Sequence, residues 1–187
     1  MGILGIAFDL ALLDSTETAI KQAWGNDNTL GRTPLANILS QNQSIQPVFD
    51  VSLGRSGDLE EYSEGLFVVG QHAPQFAAVE QAPVLHQVTE GRWSALVDGL
   101  SVNGQNYTFT TKSEVSDVPN GKLVAFLDTG TSLPEIPGDV ADFIYSNIPG
   151  SVSDNGTWYV PCQSGANLTW YLGYVSPRIM LSVRSLY

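Results

Sequence analysis

Glycine and proline punctuate this chain so closely that only short elements fit between them. With 18 glycines and 10 prolines among 187 residues, and strands commonly five or six residues long, a mainly β protein with two short helices is expected. Thr33 precedes Pro34 as an N-cap before proline at the first helical position, and Leu35, Ile38 and Leu39 share a face, which predicts a helix to about Gln41. Val140, Phe143, Ile144 and Ile148 predict a second over residues 138–148, capped by Asp139 and stopped by Pro149. Strands are expected at 2–8, 49–53, 65–69, 157–160 and 168–172, with loops at 24–32 and 55–64. Between residues 83 and 111 Trp93, Ala95 and Val97 alternate inward, Asp98-Gly99 and Asn103-Gly104 are hairpin-type dipeptides, and Tyr107 and Phe109 resume the alternation. The length suits one ordinary domain with a real core.

One apolar run stops abruptly on a carboxylate. Residues 123–127, Leu-Val-Ala-Phe-Leu, have the length of a buried strand and lead into Asp128, followed by Thr129, Gly130, Thr131 and Ser132. Such a run delivers a carboxyl group at a strand end. Gly130 has no Cβ, so it is free to take a positive φ and admit another backbone, while the hydroxyls around it orient the carboxylate. A bare Asp-Thr-Gly match equally describes a turn after an ordinary strand. The surrounding chain decides between the two.

That surrounding chain resembles the pepsin-like aspartic peptidases, in particular a fungal-type secreted or vacuolar member. The family's second active-site motif, two hydrophobic residues followed by Asp-Thr-Gly-Thr-Ser, is matched throughout residues 126–132. Similar segments occur in the right order at 2–7, 34–39, 49–53, 92–96 and 156–162. The resemblance implies an incomplete bilobal acid-protease fold, with residues 1–55 as the tail of the N-terminal lobe and inter-lobe strand, and residues 56–187 as an incomplete C-terminal lobe. It leads one to expect truncation at both ends, by an incomplete or misjoined gene model, and a tail beyond about Gly165 that is the least regular region. It also implies that Asp128 is catalytic, that Thr129 bridges to the other lobe's motif, that Thr131 hydrogen-bonds the Asp128 carboxylate, and that the Gly130 backbone contacts bound peptide. Cys162 resembles a cysteine that pairs in the family with one further on, which this sequence does not contain.

Composition narrows the function classes. Acidic residues outnumber basic ones 19 to 8, for a net charge of −11 and a pI near 4.3, which argues against electrostatic binding of nucleic acid or anionic membrane. One cysteine excludes an internal disulfide and a multi-cysteine zinc site. Four sequons, at Asn42, Asn106, Asn155 and Asn167, point to secretion. The apolar start carries no positive leader and no run reaches the roughly 20 residues of a membrane helix, so no targeting segment is expected. His72 and His86 stand alone, without metal-ligand spacing, and read as structural or surface residues. Neither Ser94 nor Ser132 lies in a Gly-x-Ser-x-Gly setting. The resemblance implies no cofactor, and a peptide or protein substrate as the partner.

An aspartic peptidase activates water between two carboxylates that share one proton, one acting as base and the other as acid. One carboxylate provides neither the partner nor the acid. Residues 12–16, Leu-Leu-Asp-Ser-Thr, have the apolar lead-in but no glycine after Asp14, and read as a helix or loop start. The chain alone is therefore expected to be inactive for want of the N-terminal lobe. Two alternatives are a non-catalytic peptide- or protein-binding lobe and a homodimeric, retroviral-like peptidase with one motif per subunit.

Overall fold

The computed structural model describes residues 5, 6, 8, 15–26, 30–54, 65–131 and 133–173. Two compact units result: Met1–Ala82 with Glu90–Trp93, and Pro83–Thr89 with Ser94–Tyr187.

The first unit holds helices α1 (Ser15–Trp24) and α2 (Pro34–Gln41), the antiparallel strands β1 (Phe49–Ser52) and β2 (Leu66–Val69), and a 3-10 helix over Pro74–Gln81. The Thr33 hydroxyl accepts the Ala36 N–H at 3.3 Å, satisfying one of the orphan donors at the start of α2. Helix α1 is a third α-helix where two were expected. No glycine or proline interrupts it, and Lys21 pairs with Glu17 one turn earlier. An aromatic cluster organises the unit: Trp93 meets Phe8 at 4.1 Å and Phe49 edge-on at 5.1 Å, and its indole N–H donates to the Ile6 carbonyl at 2.9 Å. The expected strand at 2–8 lies mostly outside the described residues, as do Asp14 and the loop at 55–64.

In the second unit β3 (Ser94–Val102) is the central strand of an antiparallel sheet. It pairs with β4 (Gln105–Tyr107), with β5 (Leu123–Phe126) and with β8 (Leu168–Leu172). The described protein is thus mainly β, with open antiparallel sheets. The β4 and β8 ladders share Leu100 to Val102, and the β5 and β8 ladders share Val97, so β8 lies on one side of β3 and β4 and β5 lie end to end on the other. Helix α3 (Gly138–Ser146) and the hairpin of β6 (Val152–Asp154) and β7 (Thr157–Tyr159) complete the unit. Val97, Leu100, Val102, Phe109 and Val140 form the core, and each fully buried aliphatic side chain stabilises by about 1.5–3 kcal/mol.

Asn103-Gly104 forms the expected turn between β3 and β4, both residues at positive φ, +50° and +82°. Asp98-Gly99 does not. It lies inside β3, where Val97 faces Leu172 and Gly99 faces Tyr171, so Asp98 is an extra residue on that strand. This bulge explains why Ala95 and Val97 face inward before it, and Leu100 and Val102 after it, a change of phase that simple alternation forbids. Glycine leaves room there for the Tyr171 ring, which would lie 3.2 Å from an added Cβ, and the Asp98 carboxylate accepts from Lys122 Nζ at 2.7 Å.

Asp139 is not the cap of α3. Pro137 holds that position with no side-chain cap bond, and the carboxylate of Asp139 in the first turn reaches aside. One of its oxygens accepts from Thr111 (2.7 Å), Tyr107 (2.9 Å) and Thr110 (3.1 Å). Just beyond Gly165, β8 completes the main sheet, and Gly173 N–H donates to the Leu96 carbonyl at 3.2 Å. Residues 174–187 lie outside the described residues.

Candidate active site

The Asp-Thr-Gly turn is anchored by a ladder to the centre of the second unit. Leu123 to Phe126 of β5 pair with Val97 to Ser94 of β3, and the ladder ends at Phe126 opposite Ser94. Ser94 is itself buried and its hydroxyl accepts the Thr89 N–H at 2.9 Å, which fixes the end of β3. The chain leaves the sheet at Leu127 and presents Asp128 at the next residue.

Both oxygens of the carboxylate are held locally. The Gly130 N–H donates to Oδ1 at 2.8 Å and the Thr131 hydroxyl donates to Oδ2 at 3.0 Å. Two donors on two oxygens define the plane of the group, as charge-assisted hydrogen bonds do. Gly130 serves a different purpose from the one expected. Its φ is not in the positive range; what glycine supplies is room, because an added Cβ would lie 3.2 Å from Asp128 Oδ1. The close neighbour is the carboxylate rather than another backbone. Thr129 is exposed in the same turn, and Ser132 lies outside the described residues.

The apolar lead-in is not fully buried as its composition suggested. Phe126 is 47% exposed, Leu127 59% and Leu133, just past the motif, 77%. Among the described residues β5 pairs with β3 alone, so the run is covered less than a central strand would be. Three large exposed apolar side chains thus lie within five residues of an exposed, oriented carboxylate. Composition held no sign of this, since a run of five apolar residues reads the same whether a neighbour covers it or not.

Two other carboxylates are strongly held. Burial would raise the Asp50 carboxyl, but His72 Nδ1 at 2.9 Å and the Ala73 N–H at 2.6 Å outweigh it and keep it below its ordinary value. The Thr111 hydroxyl, helped by Tyr107 and Thr110, holds Asp139 below its ordinary value against the effect of burial. Sequence reading missed both clusters, which join residues 22 and about 30 positions apart. Among the described residues, no group of three or more His, Cys, Asp or Glu side chains is placed to hold a metal ion. Cys162 is an exposed free thiol.

The model of the eukaryotic aspartyl protease family matches residues 1–181. The chain belongs to that family. Among curated proteins this chain is similar to Rhizopuspepsin-4 of Rhizopus niveus, 27% identical over 143 residues, which cover 76% of the chain and 29% of the relative. The chain thus matches less than a third of that relative's length. No solved structure matches it. Among the described residues of this family member, no helix is long and apolar enough to cross a membrane.

Proposed function

We infer that this chain supplies one half of an aspartic-type endopeptidase site, with Asp128 as one carboxylate of the water-activating pair. The observation that carries the reading is the Asp128 carboxylate held by the Gly130 N–H and the Thr131 hydroxyl in an exposed turn. A single oriented carboxylate binds one side of a water; hydrolysis also needs an acid to protonate the departing nitrogen. The second aspartate comes from another lobe, docked where Phe126, Leu127 and Leu133 are exposed around the motif. Residues 1–55 are read as the tail of the N-terminal lobe with the inter-lobe strand, and residues 56–187 as the C-terminal lobe. Thr129 would bridge to the second motif, Ser132 would complete the hydroxyl set, and the Gly130 backbone would meet bound peptide. The sequons support passage through the secretory route to the exterior or a vacuole.

The test is hydrolysis of a denatured protein at about pH 3–5, the range in which a proton-sharing carboxylate pair works, with and without an aspartic-peptidase inhibitor. The isolated chain is expected to show no inhibitor-sensitive cleavage. A co-expressed lobe carrying a second Asp-Thr-Gly motif should restore it, and Asp128→Asn should abolish it again. Robust cleavage by the monomeric chain alone would overturn the reading and make Asp14 the first residue to mutate. Cleavage rising with the square of chain concentration would assign the second aspartate to another copy, and stoichiometric peptide binding without cleavage in the restored complex would make it a binding lobe.

A further inference from the structure

Three sequon asparagines of the second unit, Asn106, Asn155 and Asn167, are exposed, and none of their side-chain amides is engaged in a hydrogen bond among the described residues. Their placement follows from the ladders. Asn106 lies on β4, opposite Ser101 near the end of β3. Asn167 immediately precedes β8, and its N–H and carbonyl both bond Asn103, the residue that follows β3, at 2.9 and 2.8 Å. Asn155 occupies the tip of the β6–β7 hairpin at φ +49°. That hairpin is fastened to α3 by the Trp158 indole N–H on Asp142 at 2.8 Å and by stacking of Trp158 on Tyr145. Asp128 follows the opposite end of β3, where Phe126 faces Ser94. Along β3 Ser101 lies seven residues and Asn103 nine residues from Ser94, so at about 3.3 Å each Asn106 and Asn167 lie roughly 20–30 Å from the motif's end of the sheet.

These two asparagines also flank the two sides of the sheet. Among the described residues β4 and β8 each pair only with β3, on opposite sides of it. Outer strands are templates for pairing with another chain, and proteins blunt them with bulky or charged groups. We propose that Asn106, Asn155 and Asn167 carry N-linked oligosaccharides, and that those on Asn106 and Asn167 shield both outer strands at the end of the sheet remote from Asp128. The donor is an oligosaccharide carried on a lipid diphosphate. The asparagine Nδ2 attacks the anomeric carbon, the C–N bond forms, the C–O bond to the diphosphate breaks, Nδ2 gives up one proton and the lipid diphosphate leaves; nothing is oxidised or reduced. Sugar at this end leaves the approach to Asp128 open.

The proposal rests on the secretory reading above and is tested separately from catalysis. The full chain behind a cleavable secretion leader is translated with endoplasmic-reticulum microsomes, and the protease-protected product is analysed by gel mobility before and after endoglycosidase. Glycan transfer to the nascent chain does not require the finished fold. The protected chain should run as a ladder that endoglycosidase collapses, and Thr108→Ala, Thr157→Ala and Thr169→Ala should each remove one step. A protected chain without endoglycosidase-sensitive steps overturns the proposal, as does a step missing at Asn106 or Asn167. For the shielding role, the secreted glycoprotein and its deglycosylated form are compared by sedimentation. Deglycosylation should shift the protein to larger assemblies, and an unchanged distribution would overturn that role. Neither result bears on the Asp128→Asn assay.

Discussion

Asp128 is oriented in part by two donors within three residues of it, one on each carboxylate oxygen. Gly130 is the tightest part of the turn. With an added Cβ 3.2 Å from Oδ1, Gly130→Ala must push the carboxylate aside by a few tenths of an ångström without disturbing the sheet. Displacements approaching 1 Å cost about a hundredfold in rate, so this variant, in an enzyme completed by its second lobe, is expected to lose roughly tenfold in kcat with an unchanged melting temperature. Steady-state kinetics beside a thermal melt decide it, and full kcat would show that the carboxylate has room to spare. The position of the carboxylate at a strand end was legible because an apolar run ending on Asp-Thr-Gly leaves few alternatives. The use of Gly130 was not: sequence reports that a Cβ is absent, and only geometry tells whether backbone torsion or a neighbouring atom required it.

Elements were readable where their signals are local. The cap and proline of α2, the spacing of α3 and the Asn103-Gly104 turn all act within four or five residues. The misread features answer to partners far along the chain. Asp98-Gly99 has turn chemistry, yet Tyr171 and Lys122 make it a bulge; Asp139 has cap chemistry, yet three hydroxyls after β3 draw it sideways. The bulge sets the inward face of Leu100, so Leu100→Ala should cost about 2–5 kcal/mol, a large part of a domain's roughly 5–15 kcal/mol, and denaturant unfolding followed by tryptophan fluorescence, Trp170 of β8 being the residue opposite Leu100, would show it. Asp139 gives a pH signature. Its carboxyl is held below the ordinary 3.8 in the folded state, so its contribution is fully present above that value and is lost as pH falls through the lowered one. Asp139→Asn should therefore flatten the stability profile below about pH 4, while Asp139→Ala, which also removes the part-buried bond from the Tyr107 hydroxyl, should cost a further ~1 kcal/mol at neutral pH. Parallel acid-side profiles for wild type and Asp139→Asn would show that the cradle does not discriminate charge.

At the scale of the molecule, charge and exposed apolar surface pull in opposite directions. At neutral pH a net charge of −11 keeps copies apart, although Phe126, Leu127 and Leu133 are exposed beside the motif. Carboxyl groups in general become neutral near pH 4, and the chain carries 19 acidic side chains. Repulsion then falls in the same range in which an aspartic dyad works, and the apolar surface around Asp128 is free to dominate. The glycosylated chain is expected to sediment as a monomer at neutral pH and to associate reversibly, with rising concentration, at about pH 4. Because burial of each aliphatic side chain contributes about 1.5–3 kcal/mol, the paired substitution Leu127→Ser and Leu133→Ser should remove most of that association while leaving the neutral-pH melt unchanged. Supplying a lobe with the second motif should compete with self-association for the same residues. Acid-induced assembly that ignores both the substitutions and the added lobe would place the sticky surface elsewhere and separate it from the catalytic turn.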